Sequence, residues 1–251
     1  MQSETLSFVV KRYPTRGEMG AAAAKEAAAV IRELLKKKPV INMVFAAAPS
    51  QNEFLQALVN EPGIDFTRIV AFHMDEYVGL RDEAPQRFGN FLKEHIFDLA
   101  PFKAVNYING NAADIDAECE RYGQMLIDNP IDIVCMGIGE NGHIAFNDPH
   151  VADMNDPKLV KKVSLDDVCR MQQVHDGCFA SFDEVPQYAL TLTIPALMNA
   201  DYHFCMVPAA SKANAVKATV YGPIGEKCPA TSLRLCKQAV LYVDQDSGAQ
   251  L

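Results

Sequence analysis

No run of roughly 18 apolar residues occurs in this chain, so no segment reads as a membrane-spanning helix. The first residues, Met1-Gln2-Ser3-Glu4, are polar and acidic, which is the wrong pattern for a secretory leader. The cytoplasm is the expected location, with no membrane partner. Paired Cys-x-x-Cys spacing is also missing. Cys119, Cys135, Cys169, Cys178, Cys205, Cys228 and Cys236 are odd in number and irregularly spaced, and several fall in apolar runs. They are expected to be reduced thiols. His73, His95, His150, His175 and His203 show no metal-ligand spacing with them, so no metal site is predicted. Positive charge is in short supply: 23 Lys and Arg against 32 Asp and Glu leave a net charge of −9. That excludes a general nucleic-acid binder, although local cations can still hold a small anion. Linkers, repeats and low-complexity tracts are lacking, so residues 1–251 are expected to form a single domain.

What the chain does have is ordinary globular composition, 49% hydrophobic and 22% charged over 251 residues, enough for one sizeable α/β core. The Ala-, Glu- and Lys-rich stretch from Arg16 to Lys38 predicts a helix closed by Pro39. Val40–Ala47 reads as a strand. Ser50 with Glu53 three residues on reads as a capping box opening a helix to Asn60. A strand over 68–72, a helix over 88–99, a short strand or turn over 106–109 and a helix over 113–127 follow. Then come a strand over 131–136, a less regular stretch over 150–185 with a possible helix at 165–173, and β-rich 189–194. Pro195 starts a short helix, Tyr202–Val207 is a strand, Lys212–Tyr221 a helix and Ala239–Val243 the closing strand. Strands alternating with helices imply an α/β, three-layer Rossmann-like fold with a mostly parallel central sheet and helices on both faces.

Two blocks carry chemistry. Gly137-Ile138-Gly139-Glu140-Asn141-Gly142-His143-Ile144-Ala145-Phe146-Asn147-Asp148-Pro149 follows the apolar run Ile131–Met136, the pattern of a buried parallel strand entering a glycine loop. Loops at the carboxyl ends of parallel strands are where α/β folds bind ligands. The second block, His73-Met74-Asp75-Glu76-Tyr77-Val78-Gly79-Leu80, also follows a strand-like run.

Together these blocks resemble the Met-Asp-Glu-Tyr-Val-Gly-Leu and Gly-His-Ile-Ala-Phe-Asn-Glu/Asp-Pro motifs of the glucosamine-6-phosphate deaminase family. That family lies within the sugar-phosphate isomerase and 6-phosphogluconolactonase group. The resemblance runs from about Met43 to Val240. It implies conversion of glucosamine 6-phosphate to fructose 6-phosphate and ammonia by ring opening and proton transfer between C2 and C1, without a cofactor. It assigns Asp75 as the base and His143 as the ring-opening group. Asp148 becomes the acidic partner of His143, and Asn141 stands where some members carry Asp. An imidazole that titrates near neutrality can both take and give the ring-opening proton. Lys212, after Pro208-Ala209-Ala210-Ser211, matches a phosphate-binding lysine at a helix start. Ser50, Gln51, Asn52, Glu76 and Gly142 complete the expected substrate-binding set, around a phosphosugar as the small-molecule partner. A monomer or small homo-oligomer is expected.

Two positions depart from the family pattern. A glycine-rich phosphate loop is replaced by Ala46-Ala47-Ala48-Pro49-Ser50-Gln51-Asn52, in which backbone donors of residues 50–52 would have to hold the phosphate. A phosphate-binding arginine is missing near Asp176-Gly177-Cys178, with Arg170 or Arg234 as possible substitutes. The departures leave three alternatives: a galactosamine-6-phosphate deaminase, a 6-phosphogluconolactonase, and a sensor that binds without turnover. Tyr77, where the lactonases carry Arg, and the Phe146-Asn147-Asp148-Pro149 ending favour the deaminase.

Overall fold

The computed structural model describes residues 6–251, so the acidic start Met1–Glu4 lies outside the described residues. In chain order the elements are β1 (Ser7–Arg12), α1 (Arg16–Lys37), β2 (Ile41–Phe45), α2 (Asn52–Asn60), β3 (Ile69–His73), β4 (Asp75–Tyr77), α3 (Phe88–Leu92) and β5 (Ala104–Asn106). Then follow α4 (Ile115–Asp128), β6 (Ile133–Met136), β7 (Val160–Ser164), α5 (Asp167–His175), β8 (Tyr188–Leu192), α6 (Ile194–Met198), β9 (Tyr202–Val207), α7 (Ala213–Tyr221) and β10 (Gln238–Val243).

Seven strands form one sheet in the order β1-β10-β9-β6-β2-β3-β5, with every neighbouring pair parallel. Alternate side chains of each strand feed opposite cores. Ile41, Met43 and Phe45 of β2 pack with Ile31 of α1 and Phe54 of α2. Val44 joins Tyr122 of α4 and Val216 of α7 on the other face. The three-layer expectation therefore holds. α1 starts where Thr15 caps it by accepting the Glu18 N–H at 3.2 Å. It lies so close to α2 that a Cβ on Gly20 would come within 2.6 Å of Glu53 Cβ.

Strand order reverses between β6 and β2, so the chain leaving each of them turns to opposite faces. This opens a crevice at their carboxyl ends. The Ala46–Ser50 loop leaves β2 there and the Gly137–His143 loop leaves β6. Among the described residues no helix is long and apolar enough to cross a membrane.

Several expectations are corrected. β1 was not expected, because all its residues are exposed or partly so at the sheet edge and the apolar signal is thin. The predicted 88–99 helix is a short α3 followed by a π-helical turn over Lys93–Phe97. The irregular 150–185 stretch contains β7, which pairs antiparallel with β8. β8 pairs in turn with β4, so Asp75 sits on a strand of a small second sheet, β4-β8-β7, rather than in a loop. Ser50 does not cap α2. It lies within a 3-10 turn over Pro49–Gln51, and Glu53 answers Arg16 instead, 2.6 Å from its Nε.

Candidate active site

One cavity at the crevice gathers Asp75, His143, Ser50 and Lys212 on its walls. Asp75 comes from β4, and its backbone is fixed from behind. The ring of buried His73 accepts the Ile108 N–H on Nε2 at 2.9 Å, so its proton lies on Nδ1 and is donated to the Asp75 carbonyl at 2.8 Å. Burial holds His73 neutral, pushing its pKa down to about 4. Asp75 is 7% exposed as a residue. Burial first, and then the neighbouring Glu76 charge, raise its pKa well above the ordinary carboxylate range.

His143 lines the same cavity. Its Nδ1 is 2.9 Å from Asp148 Oδ1. Burial works to raise the Asp148 carboxyl, but hydrogen bonds from His143, Asn141 and the Asp166 backbone hold it below its usual value. Asn141 donates to Asp148 at 3.0 Å and to Asp166 at 3.1 Å, and its oxygen accepts the His143 N–H at 3.0 Å. Neither Asn141 nor Asp148 lines the cavity; they position the imidazole from behind. The loop can be this tight because Gly139 lies flat against the ring: a Cβ there would sit 2.2 Å from Nε2 and from Cε1.

Lys212 is 4% exposed, and its ammonium has no hydrogen-bond partner among the described residues. Burial lowers its pKa, with Asp176 and Glu140 opposing. The turn before it is strained. Ala209 takes φ +84° and ψ 146°, a region that suits glycine, while its N–H is held by the Asp244 carboxylate at 3.1 Å. Replacing Ala209 by glycine is therefore expected to raise stability. Relief of about 1–3 kcal/mol of strain exceeds the roughly 0.5–1 kcal/mol that glycine loses to chain entropy. A melting temperature that falls in Ala209→Gly would show that the turn is unstrained.

Several expected ligands lie elsewhere. Glu76 does not line this cavity: its buried carboxylate accepts the N–H groups of Tyr77, Phe88 and Gly89 at 2.9, 3.1 and 3.0 Å, anchoring the start of α3. Gln51 is buried, its amide donating to Ser50 Oγ and the Met206 carbonyl. Its own N–H goes to the Ala48 carbonyl, and that of Asn52 to Pro49. A cradle of free backbone donors over 50–52 is therefore not formed. Gly142, at φ +83°, packs on Cys228 and does not line the cavity. Arg170 is spent on the Phe182 and Val185 carbonyls, and Arg234 on the Gly222 carbonyl.

The cavity also holds residues that the motifs do not mark: Arg16, Gln172, Gln173, Asp176 and Ser211. Ser211 adjoins Lys212, and Gln172 and Asp176 lie one helical turn apart, but Arg16 reaches the crevice from the far end of the sequence by tertiary packing alone.

The seven cysteines are free thiols. The ligand atoms of His143, Asp148 and Cys169 lie within 4.8 Å of one another, as do those of Asp148, His150 and Asp166. Spacing in sequence does not reveal these groupings. Their fit to a metal is poor: His143 Nδ1 and Asp148 Oδ1 already face each other at 2.9 Å, and burial keeps the Cys169 thiol protonated.

Residues 14–242 match the family model described as glucosamine-6-phosphate isomerases/6-phosphogluconolactonase. A glucosamine-6-phosphate deaminase of Streptococcus pyogenes serotype M1 is 33% identical over 214 residues, covering 82% of this chain and 86% of that protein. A solved monomeric glucosamine-6-phosphate deaminase superposes with a TM-score of 0.88 at 28% identity, covering 97% of this chain and all of that one (100%). The 6-phosphogluconolactonase of Thermotoga maritima shares the fold, with a TM-score of 0.77 at 20% identity over 95% of this chain and 100% of its own. A buried carboxylate and a carboxylate-backed imidazole facing one cavity, on this sheet order and with these relatives, place the chain in the glucosamine-6-phosphate isomerase/6-phosphogluconolactonase family.

Proposed function

We propose that this protein is a glucosamine-6-phosphate deaminase, converting the amino sugar phosphate and water into fructose 6-phosphate and ammonia. The observation that carries this reading is the meeting of Asp75 and His143 on one cavity whose wall also holds the unpartnered Lys212 ammonium. His143 opens the pyranose ring. With Nδ1 turned to anionic Asp148, Nε2 is left to move a proton between the anomeric hydroxyl and the ring oxygen. Asp75 takes the C2 proton and returns it at C1. Its raised pKa suits a base that must hold the proton between the two events. The amine then leaves protonated as water adds at C2. General acid–base groups suffice for each step.

Lys212 binds the phosphate, and Ser50 and Ser211 offer hydroxyl donors beside it. Lys212→Ala is expected to raise KM by about 10- to 100-fold, the worth of one charge-assisted contact, with kcat changed far less. An unchanged KM would move the phosphate elsewhere. The function itself is tested by ammonia release from purified protein given glucosamine 6-phosphate, with galactosamine 6-phosphate in parallel. Release from the gluco sugar supports the proposal, and release from the galacto sugar alone changes the substrate. If neither reacts while 6-phosphogluconolactone is hydrolysed, the deaminase reading fails.

A further inference from the structure

The far wall of the cavity is balanced in charge before any ligand arrives. The Arg16 guanidinium is already engaged, donating to the Pro49 carbonyl at 2.8 Å and to Glu53 at 2.9 Å. Lys212 is buried and free of hydrogen bonds, yet the half-buried Asp176 carboxylate lines the same cavity from the end of α5. Among the described residues, Asp176 is restrained by a weak contact from Gln172 Nε2 at 3.3 Å. Arg16 is thus matched by Glu53 behind the wall, and Lys212 shares the cavity with Asp176. A phosphate dianion entering here gains Lys212 but meets Asp176 as a like charge. A hydroxyl, in contrast, finds in Asp176 a strong acceptor and in Gln173 an amide able to give or take.

We propose that Asp176 is a specificity-determining residue that weakens the hold on a 6-phosphate and lets the site accept an amino sugar with a free 6-hydroxyl. The inference rests on the amino-sugar reading of Asp75 and His143. It deepens that reading by widening the substrate class to amino sugars with and without a 6-phosphate.

The test compares wild type, Asp176→Asn and Asp176→Glu. Two readouts are taken: binding of inorganic phosphate, and kcat/KM for ammonia release from glucosamine 6-phosphate and from glucosamine. Removing one like charge at this range is expected to tighten phosphate roughly ten-fold in Asp176→Asn. The preference for the phosphorylated sugar should rise by a similar factor, mainly through KM. Asp176→Glu keeps the charge and should keep the wild-type preference. If Asp176→Asn binds phosphate no tighter, if the ratio of the two sugars does not move, or if wild type releases ammonia from glucosamine 6-phosphate but none from glucosamine, the inference is overturned. A wild-type protein that releases ammonia from neither sugar removes the amino-sugar reading, and the phosphate titration still decides whether Asp176 repels an anion.

Discussion

Asp75→Asn is expected to lower kcat on the order of 10³-fold, the usual worth of a positioned proton-transfer group. The substitution should also stop solvent hydrogen from entering C1 of the product. The side chain keeps its size and its place on β4, opposite Thr191, so the loss is of basicity alone. A second consequence has the opposite sign. Asp75 is buried, and its carboxyl is raised by that burial. A carboxyl raised in the folded state contributes stability below the unfolded value near 3.9, and that contribution is lost as pH climbs through the folded pKa. Above the unfolded value the wild-type fold therefore bears the cost of burying a titrating carboxyl, whether it holds its proton or ionises in place, and asparagine has no proton to hold. Asp75→Asn should melt higher than wild type at pH 7, by roughly 2–4 °C per kcal/mol, and the gap should close in acid. The acid limb of wild-type kcat/KM should lie above the ordinary carboxylate range for the same reason. Thermal melts across pH with solvent-deuterium exchange check both halves; an inactive variant that melts lower at pH 7 would mean that Asp75 holds the fold rather than the proton.

Gly139→Ala is the second large effect. The new methyl would fall 2.2 Å from Nε2 and 2.4 Å from Nδ1 of His143. No carbon can sit there, so the ring must swing away, and the 2.9 Å contact of Nδ1 with Asp148 breaks. The backbone at Gly139 is not in the left-handed region that demands glycine, so the fold should survive. A displacement of this size in the ring-opening group is expected to reduce turnover about 10²-fold. An open-chain analogue, which needs no ring opening, should lose much less, and phosphate binding should be unchanged. Equal losses on closed and open forms would remove His143 from the ring-opening step.

The sequence made the reacting end readable and hid the far end. Asp75 and His143 each follow an apolar strand, and a loop after a parallel strand is a strong positional signal. Asp148 is named as the partner of His143 by the family resemblance, and Asn141 only as a matched position; that Asn141 bridges Asp148 and the His143 N–H is visible only in the fold. Glu76 was legible in part: alternation along an extended segment turns its side chain away from that of Asp75, but nothing local shows that the start of α3 needs an acceptor there. β4 itself is too short to show a period, and its partner β8 lies far along the chain. The loop after β2 reads as a helix cap because Ser50 and Glu53 have the right spacing, yet Glu53 is claimed by Arg16 from α1. Arg16 and Asp176 face one cavity only because α1, α5 and the β2 loop converge in three dimensions, and no local pattern encodes that meeting.

The small sheet also bears on when Asp75 and the His143 loop can meet during folding. β4 pairs with β8 across roughly half the chain, and the loop bearing His143 is tied to the same strand, with Phe146 N–H on Thr191 Oγ1 and Asn147 Nδ2 on the Leu192 carbonyl. Contacts this distant in sequence close late, after the local helices and the β2–β3 hydrogen bonds that need only a short crossover. A nascent or refolding chain is therefore expected to gain most of its local secondary structure before Asp75 and the His143 loop are brought together by this long-range closure.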